Sequence, residues 1–332
     1  MPDITPFRMD AFAEATGAIP LTSTTARPPF PSYIDSTMLK TFRGCPRKFE
    51  LEYLHHWKAK SSSIHLHAGK AFASALESVR EAFHARGETA ERALEIGSAK
   101  LVEEYGTFDE PHDSAKTLPR MLGALQYYFE TWPLESDPLR PYQWAPGKYG
   151  IEFSFASPLP FDHPTTGEPL IYTGRADMLA EMGGALYIED DKTTSQLGAS
   201  WVNQWDLRSQ FTGYCWSAKK VSGIPVQGAI VRGVSILKTK YDHAQVITYR
   251  QDWMIERWLT QVIADLTRMQ AAWESGYFDY NLDEECNSYG GCLFRPVCLM
   301  EHPEPWMPVN YEQRVWDPLA RTETVVPAGD NQ

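Results

Sequence analysis

Three consecutive acids and a lysine close the run "ALYIEDDKTT" (Ala185 to Thr194), and a further acid stands upstream in "GRADML" (Gly174 to Leu179). Between the two runs lies Gly183-Gly184, a pair that supplies the positive φ of a two-residue hairpin turn. With that turn as the loop, Asp177 is expected opposite Asp190, and Arg175 opposite Lys192. Side-chain alternation then puts Asp177, Asp190 and Lys192 on one face. Opposed residues have Cβ atoms roughly 4.5–5.5 Å apart, where like charges destabilise the pair unless a cation lies between them. Two carboxylates are hard oxygen ligands suited to Mg²⁺ or Mn²⁺. An ion held there would polarise a phosphate and acidify a water, and Lys192 would orient that water or offset charge developing on phosphorus. Acids at the end of a strand are also ordinary solvated charges, and the register of one hairpin leaves both readings open.

The elements that must position these residues are legible around them. Strands are expected over "GIEFSFAS", "LIYTGRADMLAE", "ALYIEDDKT", "VQGAIVRGVSIL" and "YDHAQVITYR", with a helix "DLRSQFTGYCWSAKKVSG" between the third and fourth. Upstream, a helix opens at Ser36 and breaks at Gly44-Cys45-Pro46, and a short helix follows with Phe49, Tyr53 and Leu54. The run "HAGKAFASALESVREAFHARG" carries Phe72, Leu76, Val79 and Phe83 on one stripe and stops at Gly87. Two more helices are expected near 89–105 and 116–131, and a long one over 251–276. Helices followed by a mainly antiparallel sheet with one inserted helix indicate a mixed α/β domain with a helical addition.

The totals narrow the classes of function. At 332 residues and 43% hydrophobic content, the chain can form one large domain or a domain with an appendage. Its apolar runs are too short to span a bilayer, and the N-terminal stretch lacks the layout of a secretory signal, so a cytoplasmic protein with no membrane association is expected. A net charge of −12 argues against coating nucleic acid non-specifically, while leaving room for an enzyme that grips it locally. Five cysteines, an odd number, argue against a disulfide framework.

The acids and lysine are also where the chain resembles the PD-(D/E)XK nuclease superfamily. The likeness is to its RecB-type branch, which includes iron–sulfur CRISPR-associated adaptation nucleases and phage exonucleases. "STMLKTFRGCPRKFELEYL" (Ser36 to Leu54) resembles the opening motif of that branch, "GRADML" and "YIEDDKTT" its paired strands, and "QFTGY" (Gln210 to Tyr214) its Q-x-x-x-Y helix. The resemblance implies a restriction-endonuclease-like α/β fold: a mixed sheet core flanked by helices, with a helical and cysteine-bearing addition. It makes Asp177 and Asp190 the metal ligands, assisted by the carbonyl of Asp191, and Lys192 catalytic. Gln210 and Tyr214, which share a helix face at i and i+4, become DNA-contacting and supporting residues. Arg175 joins them as one of several basic residues interleaved with aromatic ones, a pattern of sequence-tolerant single-strand binders. Phe49 and Trp216 belong to the same runs but are more simply core residues.

One departure concerns the metal shell. The family helix carries a ligating His between a Gly and a Glu; here Gly69 and Glu77 stand at the ends and Ala73 in the middle. A methyl group cannot ligate, so Glu77 is the replacement candidate, ahead of His67, a helix-start residue; Glu152 of "GIEFSF" is a weaker one. The resemblance further implies a 4Fe–4S cluster on Cys45, Cys286, Cys292 and Cys298, the last three spaced five residues apart. Structural zinc is the alternative for such a thiolate set, and four unrelated thiols the plainest reading. Cys215, inside a helix, reads as core.

The expected function is a Mg- or Mn-dependent deoxyribonuclease, an exonuclease acting on DNA with a free end or single-stranded, of the phage or prophage recombination and repair type. No motor motif is present, so any unwinding falls to a helicase or recombinase partner. Two rivals stand beside it: a weakened or inactive DNA-binding subunit, because of Ala73, and an endonuclease for structured or foreign DNA. The expected organisation is an N-terminal arm at 1–31, one nuclease domain at 32–310 and a polar tail at 311–332. Within the domain, 32–57 and 280–300 form the cysteine clamp, 60–135 the helical part, 149–250 the catalytic sheet with its helix at 206–220, and 251–276 the long helix.

Overall fold

The computed structural model describes residues 27–60, 63–108, 113–282, 285–287, 291–320 and 322–325. Most of the expected N-terminal arm, residues 1–26, lies outside the described residues. A short strand β1 (Tyr33–Asp35) leads into helix α1 (Ser36–Gly44). Asp35 caps that helix, its carboxylate accepting from the Thr37 and Met38 N–H groups at 2.7 and 2.8 Å. The chain turns at Cys45, whose extended backbone ends one helix and whose following proline opens the next, α2 (Pro46–Phe49). A π-helical turn (Glu50–Leu54) and strand β2 (Trp57–Ala59) follow.

The helical part comprises α3 (Ile64–Arg80), α4 (Ala90–Tyr105) and α5 (Leu118–Thr131). Ile64, Ala68, Ala71, Phe72, Ala75 and Leu76 of α3 are buried against Leu101 and Tyr105 of α4 and Met121, Ala124 and Leu125 of α5. Three short strands come next, β3 (Arg140–Pro141), β4 (Gln143–Ala145) and β5 (Lys148–Tyr149). The main strands are β6 (Ile151–Asp162), β7 (Pro169–Met182), β8 (Ala185–Thr194), β9 (Val226–Ile236) and β10 (Tyr241–Tyr249). Helices α6 (Ala199–Asn203) and α7 (Ser209–Ser222) connect β8 to β9, and α8 (Asp252–Ser275) follows β10.

The sheet is mixed. Its path runs β1-β7-β8-β9-β10, with β3 and β6 also on β7. Hairpins pair antiparallel, while β8 and β9, joined through a helix, are parallel, as a crossover connection requires. One face packs on α1, α7 and α8 around Tyr172, Phe211, Trp258 and Leu266, with Cys215, Phe49 and Trp216 in the same core. The other face carries the helical part, with Val234 and Ile236 of β9 in its core. Sheet and helices thus form the mixed α/β architecture expected.

The C-terminal segment departs from expectation. After α9 (Arg295–Cys298), a 3₁₀ turn and α10 (Met307–Asn310), the chain forms β11 (Tyr311–Asp317), which pairs with β2 and with β12 (Thr322–Val325). Residues from 311 onward read as a tail because "YEQRVWD" is polar. Tyr311 nevertheless is buried, stacks on Phe294 with ring centroids 5.2 Å apart, and donates its hydroxyl to the Leu293 carbonyl at 2.6 Å. A small core of Leu51, Phe294, Val297, Met307 and Tyr311 ties this segment to α2 and its π turn.

Candidate active site

The Gly183-Gly184 turn forms with φ of 60° and 80°, values glycine adopts without a Cβ penalty. The β7–β8 register runs as expected from Met182↔Ala185 to Met178↔Glu189. There the ladder ends, because β1 takes the same edge of β7 from Ile171 to Thr173. Asp177 stands at this fork, and its Oδ2 accepts the Asp191 N–H at 2.7 Å. The expectation that Arg175 faces Lys192 fails for the same reason. Arg175 lies opposite Ser154 of β6 and pairs with Glu152, Nε to Oε2, at 2.5 Å.

Asp177, Asp190 and Lys192 do gather. Lys192 Nζ touches Asp190 Oδ2, and the charges of both Asp190 and Lys192 act on Asp177. Burial pushes the Asp177 carboxyl up to about 7, with the Asp190 charge adding to it. Asp190 is likewise raised by burial, against the opposing pull of the Lys192 ammonium. For Lys192, burial opposes the charge, but Asp190 and Asp177 outweigh it and hold the pKa above that of an ordinary lysine. Two carboxylates forced together in a buried fork, neutralised by one ammonium, are electrostatically short of positive charge.

Helix α7 closes one side of the fork. Tyr214 is buried, and Gln210 Nε2 donates to its hydroxyl at 3.3 Å. The charge of Asp190 reaches that hydroxyl, so Gln210 and Tyr214 stand beside the acids. The approach depends on Gly174. A Cβ there would lie 2.7 Å from Tyr214 Cε1 and 2.2 Å from Phe155 Cζ, so any side chain would drive the tyrosine off the sheet. Arg208, just before α7, adds a second cation whose charge favours ionised Asp190.

The opposite side is α3. Arg80 is buried and reaches Glu189 Oε1 at 3.0 Å, Asp191 Oδ2 at 2.8 Å and the Tyr128 hydroxyl at 2.9 Å. Asp191 therefore turns its side chain away from Asp190, leaving its backbone near the fork. Gly69 lies at the other end of α3, where a Cβ would sit 3.9 Å from Thr193 Oγ1. Ala73 and Glu77 fall between Gly69 and Arg80. Glu77 is half-buried, and the charges acting on it are Glu81, Arg175, Lys100 and Glu104; neither aspartate is among them. Of the two replacement candidates, Glu152 is the one the Asp177 charge reaches: burial and then that charge push it up to about 8. Its φ of 50° is a left-handed conformation that costs a non-glycine residue of order 1–3 kcal/mol and clusters at functional sites. His67 instead stacks on Phe108, ring centroids 4.2 Å apart, with Nε2 2.8 Å from the Tyr105 carbonyl.

Sequence reasoning missed Arg80. The signal was present: Arg80 follows Leu76 by four residues, on the apolar stripe of α3, where a charge must find buried partners.

The four cysteines named for a cluster, Cys45, Cys286, Cys292 and Cys298, line one pocket together with Leu51 and Phe294, and none is in a disulfide. Burial raises the Cys298 thiol pKa, as do neighbouring Cys292 and Cys45. Among the described residues no three His, Cys, Asp or Glu side chains form a group that could hold a single metal ion, and no helix is long and apolar enough to cross a membrane.

A fork of two acids and a lysine on a mixed sheet is the layout of a family of hydrolytic nucleases, and residues 36–299 match the family model of the PD-(D/E)XK nuclease superfamily. The chain belongs to that superfamily. Among solved structures it is similar to a protein from Eubacterium rectale provisionally described as an exonuclease, at 15% identity and a TM-score of 0.48, covering 81% of this chain and 92% of that one. It is also similar to the protein SSO0001, at 13% identity and a TM-score of 0.30, covering 68% of this chain and 84% of that one. No curated protein matches the chain.

Members of the superfamily typically use Mg²⁺ or Mn²⁺, and the donor set suits them. Asp177 and Asp190 offer hard oxygens, and the buried Asp190 Oδ2 faces the Lys192 ammonium. One or two carboxylates, completed by water and substrate phosphate, is the usual protein share of a Mg²⁺ shell.

Proposed function

We propose that this nuclease is a metal-dependent exonuclease acting on DNA. The observation that carries the reading is the buried fork in which Asp177, Asp190 and Lys192 share one electrostatic environment with Tyr214 behind them. Asp177, Asp190 and the Asp191 carbonyl would hold Mg²⁺ or Mn²⁺, which when bound supplies a polarised phosphate and an acidified water. Lys192 offsets negative charge at the scissile phosphate. Gln210 and Tyr214 orient the strand from α7, Arg175 steers it from β7, and Glu77 or Glu152 supplies the acid that Ala73 cannot. End-labelled linear DNA and a closed circle of the same sequence, incubated together with Mn²⁺, test the assignment. Linear DNA should be consumed and the circle remain intact; nicking of the circle would make the enzyme an endonuclease. The rival, a non-catalytic DNA-binding subunit, rests on Ala73, and activity found only in Ala73→His would favour it.

The reading includes a structural 4Fe–4S cluster on Cys45, Cys286, Cys292 and Cys298, with zinc as the alternative occupant. Its support is the shared pocket and the short core that tethers the C-terminal segment to the "CPR" turn. Cluster thiolates bind separate corners of a cube and so need not converge on one point. Protein purified without oxygen should be brown and contain iron, and Cys292→Ser should bleach it and lower its melting temperature. Colourless protein with stoichiometric zinc would overturn the cluster. A place in phage-type recombination or repair, beside a helicase or recombinase, completes the proposal.

A further inference from the structure

Lys116, in the connection before α5, is only 5% exposed. Its backbone is fixed at both ends: the N–H donates to Ser114 Oγ at 3.0 Å, and the carbonyl accepts from the buried Tyr105 hydroxyl at 2.7 Å. Among the described residues its ammonium makes one hydrogen bond, to Thr193 Oγ1 at 2.8 Å. An ammonium has three donors, and among the described residues no carboxylate acts on this one. Burial alone draws its pKa down to about 8. Among the described residues this buried cation therefore has no counter-charge, an arrangement that destabilises a fold. Its location is specific. Thr193 directly follows Lys192, and Gly69 of α3 opens onto the same hydroxyl. Side chains alternate along β8, so Lys116 and Lys192 flank the end of this strand from opposite faces.

We propose that Lys116 is a substrate-binding residue of the nuclease site, whose ammonium takes a non-bridging oxygen of a DNA phosphate next to the scissile one. This rests on the DNA-cleaving reading above. A phosphate oxygen supplies the anionic acceptor that the interior withholds, and Thr193 holds the amine in place until the strand arrives. The cost in stability is the mark of a group kept for a ligand, since an apolar side chain of similar length would suit the folded protein better.

The test combines stability with salt-dependent binding. Lys116→Met and Lys116→Arg are each made alone for melting, and in an Asp190→Asn background for binding of a labelled DNA oligonucleotide with Mg²⁺ across a salt series. Lys116→Met should melt at or above the wild-type temperature and bind about 5- to 20-fold more weakly at low salt. Its slope of log affinity against log salt should be shallower by roughly 0.7–0.9, the loss of one phosphate contact. Lys116→Arg should recover most of the affinity and the slope. A Lys116→Met protein that melts lower yet keeps wild-type affinity and slope would make Lys116 structural. If neither the Asp190→Asn protein nor wild-type protein with non-catalytic Ca²⁺ in place of Mg²⁺ binds DNA, the DNA reading falls and the Lys116 assignment with it. Binding that is unaffected by Lys116→Met overturns the assignment alone.

Discussion

Asp177→Asn should abolish cleavage and, in the absence of divalent ions, raise the melting temperature at pH 8. The asparagine Oδ1 can still accept the Asp191 N–H that Asp177 Oδ2 accepts at 2.7 Å, so the strand end keeps its bond. On the proposed reading, what is lost is a charge that the metal needs and the metal-free fold does not. Loss of a ligand to the ion should lower turnover by at least about 10³-fold, roughly 4 kcal/mol of transition-state stabilisation. Burial and the Asp190 charge raise the Asp177 carboxyl from 3.8 to about 7 in the folded protein. The folded state therefore binds more protons than the unfolded chain between those values. The stability this contributes is complete below pH ~4 and disappears as pH rises through about 7. Glu152, raised to about 8, adds a decline of the same sign. Melting in EDTA should find wild type and Asp177→Asn close together near pH 4.5 and separated at pH 8, with Mg²⁺ or Mn²⁺ stabilising only the wild type. An asparagine variant that melts lower at pH 8 would mean the carboxylate serves the fold.

Arg80→Ala should be the most damaging substitution to stability near the site. Its guanidinium is the cation within reach of both Glu189 and Asp191, at 3.0 and 2.8 Å, and also bonds the Tyr128 hydroxyl. Removing one partner of a buried ionic set costs on the order of 3–5 kcal/mol, because the remaining charges stay buried. For a chain of this size that is a fall of about 4–7 °C in melting temperature. Burial already raises the Glu189 pKa with Arg80 opposing it. Without Arg80 the Glu189 carboxyl should protonate more readily, so the deficit should shrink at acid pH, where a neutral acid needs no counter-charge. Arg80→Lys should recover only part of the loss, since all three contacts converge on Nη2 at the tip of a planar guanidinium whose reach and shape an ammonium does not reproduce. A variant within 1 °C of wild type at every pH would show that the network contributes nothing.

The hairpin was legible because its information is local: a Gly-Gly turn fixes register, and alternation then fixes the face. That argument gave the register from Met182 to Met178 and failed three residues beyond the ladder at Arg175. There the competing strand is β1, some 140 residues upstream in sequence (Tyr33–Asp35 against Ile171–Thr173), and no local pattern announces it. Glu152 was underrated for a related reason: its conformation, φ 50°, comes from the packing of β6 on β7 and not from residue type. Lys116 carried no sequence signal, since a lone lysine before a helix is ordinarily solvated. The strand at Tyr311–Asp317 was hidden by its polarity, and only a distant partner, β2, turns one of its residues inward.

The central claim is that Asp177 and Asp190 act together on a DNA phosphate through a bound divalent ion. Its most direct measurement is the rate at which wild type and Asp190→Asn release label from end-labelled DNA, with Mn²⁺ and with EDTA. Wild-type protein should digest the DNA with Mn²⁺ and not with EDTA, and Asp190→Asn should digest it under neither condition. Equal rates for the two proteins, or wild-type digestion that persists in EDTA, would contradict the account.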